Sequence, residues 1–377
     1  MPLQPRKQMP VNELCWCGSG KKWKKCHRDR EHQKPVPIGK LTADHRAELS
    51  RGYCLHPQAS AATCSPNIIR AHSVQRKGGL IAIAEGCHVI SPKRGFEDII
   101  KNDGKIVPRL EGVKSASTFM GFCGFHDDQL FPPIEKSSNV LSKRTAFLLS
   151  FRAICYEKFM KDAELRAVEI QRDADKGDPF ETQSAKQQYL HFHREGIKRG
   201  IRDLEGWKGK YDAAFLNRNY DEFCFFGVIF SSALPIVACG TFHPQFDFNG
   251  NDLQIITRGA SEFEHLSFNL TVVGGRSIAI LGWTGSPQGP TECFVDSFRA
   301  LPKATMANAA FHIACEHLEN TYFRPSWWEA QTNSAREHLV GRFRSGTGSE
   351  DSERRSDCLS RLEYSFVAAT VESELNP

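Results

Sequence analysis

Four side chains able to bind a metal crowd into the segment Cys15-Trp-Cys-Gly-Ser-Gly-Lys-Lys-Trp-Lys-Lys-Cys26-His27, and this feature constrains the chain more than any other. Three thiols and one imidazole match the number and kind of donors that a closed tetrahedral Zn²⁺ site takes. Gly18 and Gly20 let the chain reverse tightly behind Cys15 and Cys17, so that Cys26 and His27 return to the same point. A segment this short has too little apolar surface to fold unaided. Metal binding is expected to supply its folding free energy, on the order of 10 kcal/mol for a structural zinc site. The expected ligand set is Cys15, Cys17, Cys26 and His27.

These residues, CWCGSGKKWKKCH, resemble the SEC-C motif, the small zinc finger found at the C-terminus of the SecA translocation ATPase and attached to many otherwise unrelated bacterial proteins. The resemblance covers residues 12–30 and implies zinc ligation by Cys15, Cys17, Cys26 and His27. In SecA the finger contacts a chaperone and the ribosome, so the resemblance implies a binding role toward a protein or nucleic-acid partner. It does not extend to the ATPase, because the chain contains no G-x-x-x-x-G-K-[ST] phosphate loop.

Residues 1–40 hold ten Lys/Arg against three Asp/Glu, which concentrates positive charge around the finger. Such charge attracts phosphate backbones or an acidic protein surface; equally, Lys21, Lys22, Lys24 and Lys25 keep a small exposed module soluble. Trp16 and Trp23 are expected to pack across the metal, with base stacking or partner docking as the other use of such rings. The proline-stiffened stretch His32-Gln-Lys-Pro-Val-Pro-Ile-Gly reads as a linker that leaves the finger a separate unit.

A second constellation lies between residues 54 and 126: Cys54, His56, Cys64, His72, Cys87, His88, Cys123 and His126. Cys54 and Cys64 sit in Pro/Ser/Ala-rich loop sequence, whereas Cys123-Gly-Phe-His126 has C-x-x-H spacing just before a helix start. Loop cysteines and a C-x-x-H pair can converge on one metal, which gives Cys54, Cys64, Cys123 and His126 as a second expected zinc set. Ile81-Ala-Ile-Ala reads as a packed helix and makes Cys87-His88 buried structure.

The order of an early cysteine pair, a histidine (His72) ending a β-branched strand and then C-x-x-H followed by Asp127 and Asp128 resembles the HNH or treble-clef class of zinc-supported nucleases. The resemblance implies His72 as the base that activates water and Asp127 or Asp128 as ligand to Mg²⁺ or Mn²⁺, a metal-assisted hydrolysis. The first pair is C-x(9)-C instead of C-x-x-C, and no middle Asn is identifiable. A purely structural zinc site stands beside this reading, with His72 hydrogen-bonded in the core.

Further along, apolar residues recur at helical spacing at Phe147, Leu148, Phe151, Ile154 and Phe159, then at Leu190, Ile197, Ile201, Leu204, Trp207 and Tyr211. Together they predict a helical hairpin closed near Lys176-Gly-Asp-Pro. Strands are expected at Phe223–Phe230, Leu234–Gly240, Leu253–Thr257, Leu266–Val273 and Ser277–Trp283, the last two joined by a turn at Gly274-Gly275. Helical periodicity returns at Glu292–Leu301 and Met306–Glu319. The fold class is α+β, with a finger at 12–30, a Cys/His-rich module at 45–140, an α+β body at 143–343 and a flexible tail at 344–377. Within that tail, Leu359–Val371 reads as a detached helix or as part of the flexible stretch.

No apolar stretch reaches the roughly 20 residues that span a bilayer, and the N-terminus lacks the apolar core of a secretory signal. Thirteen cysteines, an odd number in a chain without an export signal, argue for reduced thiols and metal sites instead of a disulfide framework. A cytoplasmic zinc-binding interaction protein without membrane contact is the first expectation, and an HNH-like nuclease the alternative.

Overall fold

The computed structural model describes residues 2–92, 102, 105–135, 141–255, 263–345 and 365–375. In chain order the main elements are α1 (Ile38–Leu49), β1 (Ile68–His72), β2 (His88–Ser91), β3 (Arg109–Gly112), β4 (Thr118–Cys123) and α2 (Gly124–Leu130). The long helices α3 (Lys143–Gln171) and α4 (Phe180–Asn217) follow, then β5 (Cys224–Phe230), β6 (Ile236–Phe242), β7 (Leu266–Val273) and β8 (Arg276–Trp283). After these come α5 (Pro290–Arg299), α6 (Lys303–His317), β9 (Thr321–Phe323), α7 (Asn333–Ser345) and β10 (Val371–Leu375). Helices and antiparallel sheets make the fold α+β.

The chain divides into two compact units, and each draws on separated stretches of sequence. The first combines Met1–Gly52 with Lys158–Glu205; the second combines Tyr53–Glu157 with Gly206–Pro377. This division cuts across the segment series expected from the sequence, because the long helices bring distant stretches of chain together. No described helix is long and apolar enough to cross a membrane.

In the first unit, Val168 of α3 packs with Leu190, Ile197 and Ile201 of α4, the stripe that the helical spacing predicts. The finger does not stand apart on a linker as its proline-rich flank suggests. Instead Arg30, just past the ligands, is 5 % exposed and reaches the turn after α3, where it bonds the Arg172 carbonyl and the Asp173 and Asp175 carboxylates. Arg172 in turn donates to the Cys17 carbonyl at 3.0 Å. A guanidinium buried this deeply must find acceptors, and among the described residues the hairpin supplies them.

In the second unit an eight-stranded antiparallel sheet runs in the order β10-β5-β8-β7-β6-β9-β2-β3. Alternate residues Phe226, Val228 and Phe230 of β5, Leu266, Phe268 and Leu270 of β7, and Ala279, Leu281 and Trp283 of β8 share one core with Phe294, Phe298, Met306 and Phe311 of α5 and α6. Val237, Cys239 and Val272 pack instead with Ala153 of α3. The hairpin turn between β7 and β8 falls at Gly274-Gly275, both at positive φ.

Three expectations are corrected. Leu253–Ile255 form no strand, and only an isolated Phe246–Asp252 bridge is present. The Asp247 carboxylate accepts the amides of Asn249 and Asn251 at 2.8 Å each and ties the segment into a turn; residues 256 and 257 lie outside the described residues. The tail is structured at its end, since β10 pairs with β5, the strand whose outer backbone groups would otherwise lack partners. Phe366 just before it stacks on Phe311 at 5.3 Å, while residues 346–364, and with them Leu359 to Tyr364, lie outside the described residues. Cys87 is exposed at φ 63° in the turn leading into β2, because the helix before it is a single turn, Ile81–Ile83.

Beside the sheet, β1 and β4 form a two-stranded antiparallel ribbon with Ile68 opposite Cys123 and His72 opposite Thr118. Chain reversal into α2 follows directly after Cys123.

Candidate metal centres

Cys15, Cys17, Cys26 and His27 are all buried, and one donor atom from each lies within 4.8 Å of the others. The Cys15 amide bonds the Lys21 carbonyl and the Trp23 amide the Glu13 carbonyl, both at 2.8 Å, so the chain folds back as a small hairpin. Gly18 and Gly20 take φ of +72° and +73° in its turn, the region that glycine enters freely. His27 Nδ1 lies 3.2 Å from both Cys15 Sγ and Cys26 Sγ, and Cys17 Sγ is 3.6 Å from Cys26 Sγ.

Those distances pass a simple test. Zinc bonds of about 2.3 Å to sulfur and 2.0–2.1 Å to nitrogen in a tetrahedron give edges of about 3.6 Å for S···N and about 3.8 Å for S···S. The observed edges are slightly tighter, as expected of ligands already gathered around one point. Trp16 and Trp23 are 8 % and 7 % exposed, and Trp16 tilts over His27 at 4.7 Å, so the tryptophans pack the site and offer no free ring face.

The far nitrogen of His27 points away from the thiols, 3.1 Å from Asp175 Oδ2. Asp175 is 1 % exposed and also accepts from Arg30 and from Gln187 Nε2 on α4. A carboxylate on the outer nitrogen fixes the ring orientation and leaves Nδ1 facing the metal, the usual outer support of a ligating histidine. Burial opposes charge on His27, but its hydrogen bonds to Asp175, Cys17 and Cys26 outweigh that and hold its pKa at about 10. Hydrogen bonds from Cys15 and Cys26 hold Cys17 far below the ordinary thiol value. Sequence spacing gave no sign of Asp175, since it lies 148 residues from His27. Asp175→Asn, which keeps the shape but loses the charge, is expected to weaken zinc binding about 10- to 100-fold. Competition with a chromophoric chelator measures this, with the exposed Asp29→Asn as the comparison variant.

In the second unit, Cys54, Cys64, Cys123 and His126 likewise gather their donor atoms within 4.8 Å. His126 Nδ1 lies 3.2 Å from Cys123 Sγ, 3.4 Å from Cys54 Sγ and 3.6 Å from Cys64 Sγ. Cys123 ends β4 and His126 sits in the first turn of α2, so C-x-x-H spacing across a strand–helix junction turns both side chains to one side. The amides of Tyr53 and Leu55 bond the carbonyls of Met120 and Gly121, which sets Cys54 against β4. Burial raises the Cys54 thiol to about 11. At Cys123 burial acts the same way, but hydrogen bonds from the backbone at His126 and from Ser65 overcome it and bring the pKa down to about 6.

His56 is not one of the four. It stacks on the His126 ring at 3.9 Å and 8°, and burial, the neighbouring His126 and Lys208 lower its pKa to about 4, so it is neutral at pH 7. Cys87 and His88 are exposed in and beside the turn before β2. Neither ligand group among the described residues includes His72, Asp127 or Asp128. His72 Nε2 donates to the Val113 carbonyl at 3.1 Å, and the strand register places it at the opposite end of β1 from Ile68, the partner of Cys123. The four-ligand set leaves no open coordination position in a tetrahedral site.

The chain is thus one with two Cys₃His ligand groups, each of which can hold a zinc ion. Residues 12–29 match the SEC-C motif, so the first group is the metal site of a SEC-C finger. No curated protein matches the chain, and no solved structure matches it.

Proposed function

We propose that this chain is a zinc-dependent interaction protein, carrying two structural zinc ions, whose SEC-C finger engages a polyanionic partner. The carrying observation is the arrangement of charge on the finger. Lys21, Lys22, Lys24, Lys25 and Arg28 are exposed while Trp23, Cys26 and His27 between them are buried. The metal core therefore turns the basic side chains outward, and the four lysines form no ion pair among the described residues. The first unit holds 22 Lys/Arg against 15 Asp/Glu, whereas the second has 27 against 29, so the positive balance of the whole chain resides with the finger. Leu14 and Val11, 67 % and 44 % exposed, add apolar area on the same hairpin.

The closed Cys₃His sets support scaffolding over catalysis. Neither offers the open position that a catalytic zinc keeps, and nothing in the geometry favours Mg²⁺ or Mn²⁺ bound by Asp127.

The test is a salt titration of single-stranded and duplex RNA and DNA binding. If phosphate contacts dominate, log K falls linearly with log salt, and replacing Lys21, Lys22, Lys24 and Lys25 by Gln reduces the slope by about 3–4. Tight binding with an unchanged slope in the quadruple variant places the contact elsewhere. Absence of any nucleic-acid binding with retained zinc leaves an acidic protein surface as the partner.

A further inference from the structure

The second unit contains a cavity of about 410 Å³ that has no part in either metal centre. Its position follows from two Gly-Gly pairs. In the segment Arg76–Leu80 the chain makes one π-helical turn, with the Leu80 amide bonding the Gln75 carbonyl five residues back at 2.9 Å. This turn is pressed onto β7: a Cβ on Gly78 would lie 2.9 Å from the Val272 carbonyl oxygen, and one on Gly79 would lie 2.8 Å from Thr271 Oγ1. Only glycines permit that approach. The second pair, Gly274-Gly275, turns β7 into β8 at the cavity's edge. π-turns occur often at functional sites because they cost regular helix hydrogen bonding.

The lining combines apolar and polar groups. Ile134, Leu149, Ile278 and Ile280 supply an apolar wall. Beside Ile278, its cross-strand partner, Thr271 is 4 % exposed and its hydroxyl has no hydrogen-bond partner, while the exposed Lys77 sits on the turn that covers it. A buried hydroxyl left unpaired is costly, and a guest that bonds it would offset that cost. The volume is within the roughly 300–1,000 Å³ of ligand pockets that combine apolar walls with a few polar anchors.

We infer that this cavity binds a small amphiphile with an anionic head, its carboxylate-like group between Lys77 and the Thr271 hydroxyl and its apolar body against Leu149 and Ile280. Calorimetric titration of the full zinc-loaded chain with decanoate and with decanol tests this. Decanoate is expected to bind. Lys77→Gln, at an exposed position, is expected to weaken it about tenfold while leaving decanol unchanged, the loss of one charge-assisted hydrogen bond. Ala82→Trp, which places a large ring at the exposed rim, is expected to abolish binding of both. Circular dichroism establishes that both variants fold. Failure of the wild-type chain to bind decanoate overturns the inference, as does binding that survives Ala82→Trp. Equal loss of decanoate and decanol in Lys77→Gln, or no loss of either, overturns the anionic head.

Discussion

Cys123→Ser is expected to lower the zinc content of the purified protein from two equivalents to one and to destabilise the second unit by several kcal/mol. Cys54 and Cys64 come from the long loop before β1 and Cys123–His126 from a strand–helix junction, and the main-chain bonds of Tyr53, Leu55 and Gly124 hold the two stretches side by side around the thiols. The metal is what closes these separated stretches onto one point, and structural zinc is typically worth about 10 kcal/mol or more in apparent binding free energy. Loss of one thiolate leaves a three-ligand site with weaker affinity and a buried group without its partner. Zinc counted by mass spectrometry under native conditions, together with urea unfolding, reads both effects. The wild-type chain with a single zinc that disappears with Cys17→Ser contradicts the second site outright. His72→Ala, by contrast, should leave zinc content at two, since its ring bonds Val113 and not the metal. A loss of Mg²⁺- or Mn²⁺-dependent nucleic-acid cleavage in that variant would revive the nuclease reading.

Cys26→Ser is expected to unsettle the hairpin tip as well as the finger. With His27 released from the metal, Asp175 keeps Arg30 and Gln187 but loses the imidazole that zinc holds in place, and Arg172 loses the Cys17 carbonyl. Breaking a buried charge network by removing one member costs about 3–5 kcal/mol. Amide protection from Arg172 to Gln187 should therefore fall by more than about 100-fold, since each 1.4 kcal/mol is tenfold. Hydrogen exchange resolved by peptide measures this against peptides from β7 and β8, which should be unchanged. If exchange increases only within residues 12–30, the finger is autonomous and its contacts with Asp175 carry little energy.

The finger was legible from the sequence because its determinants are local. Dense ligand spacing and two glycines specify a metal loop irrespective of what surrounds it, and Cys15, Cys17, Cys26 and His27 stand together as that spacing requires. C-x-x-H at Cys123 and His126 carried the same kind of local information, and Cys54 and Cys64 were the loop cysteines left to complete it. The long helices and the β7–β8 hairpin were legible for a related reason: periods of 3.6 and 2 repeat over enough residues to outweigh chance. Where the pattern was short, local turn chemistry prevailed, as at Leu253–Ile255, where the Asp247 carboxylate captured two amides before a strand could pair.

Only the tertiary structure decided what lies around those local sites. No spacing joins His27 to Asp175 or Arg30 to the turn after α3, yet those contacts tie the finger to the hairpin, because a buried ligand histidine and a buried guanidinium both need an acceptor that their own segment lacks. Strand β10 is settled in the same way: its sequence, Val-Glu-Ser-Glu-Leu, is polar enough to read as tail, and it is a strand because β5 presents an open row of backbone donors and acceptors. Ligand identity is a property of a few adjacent side chains and can be read along the chain. Satisfaction of buried charge and of sheet edges depends on which distant residues arrive, and that is fixed only when the chain has folded.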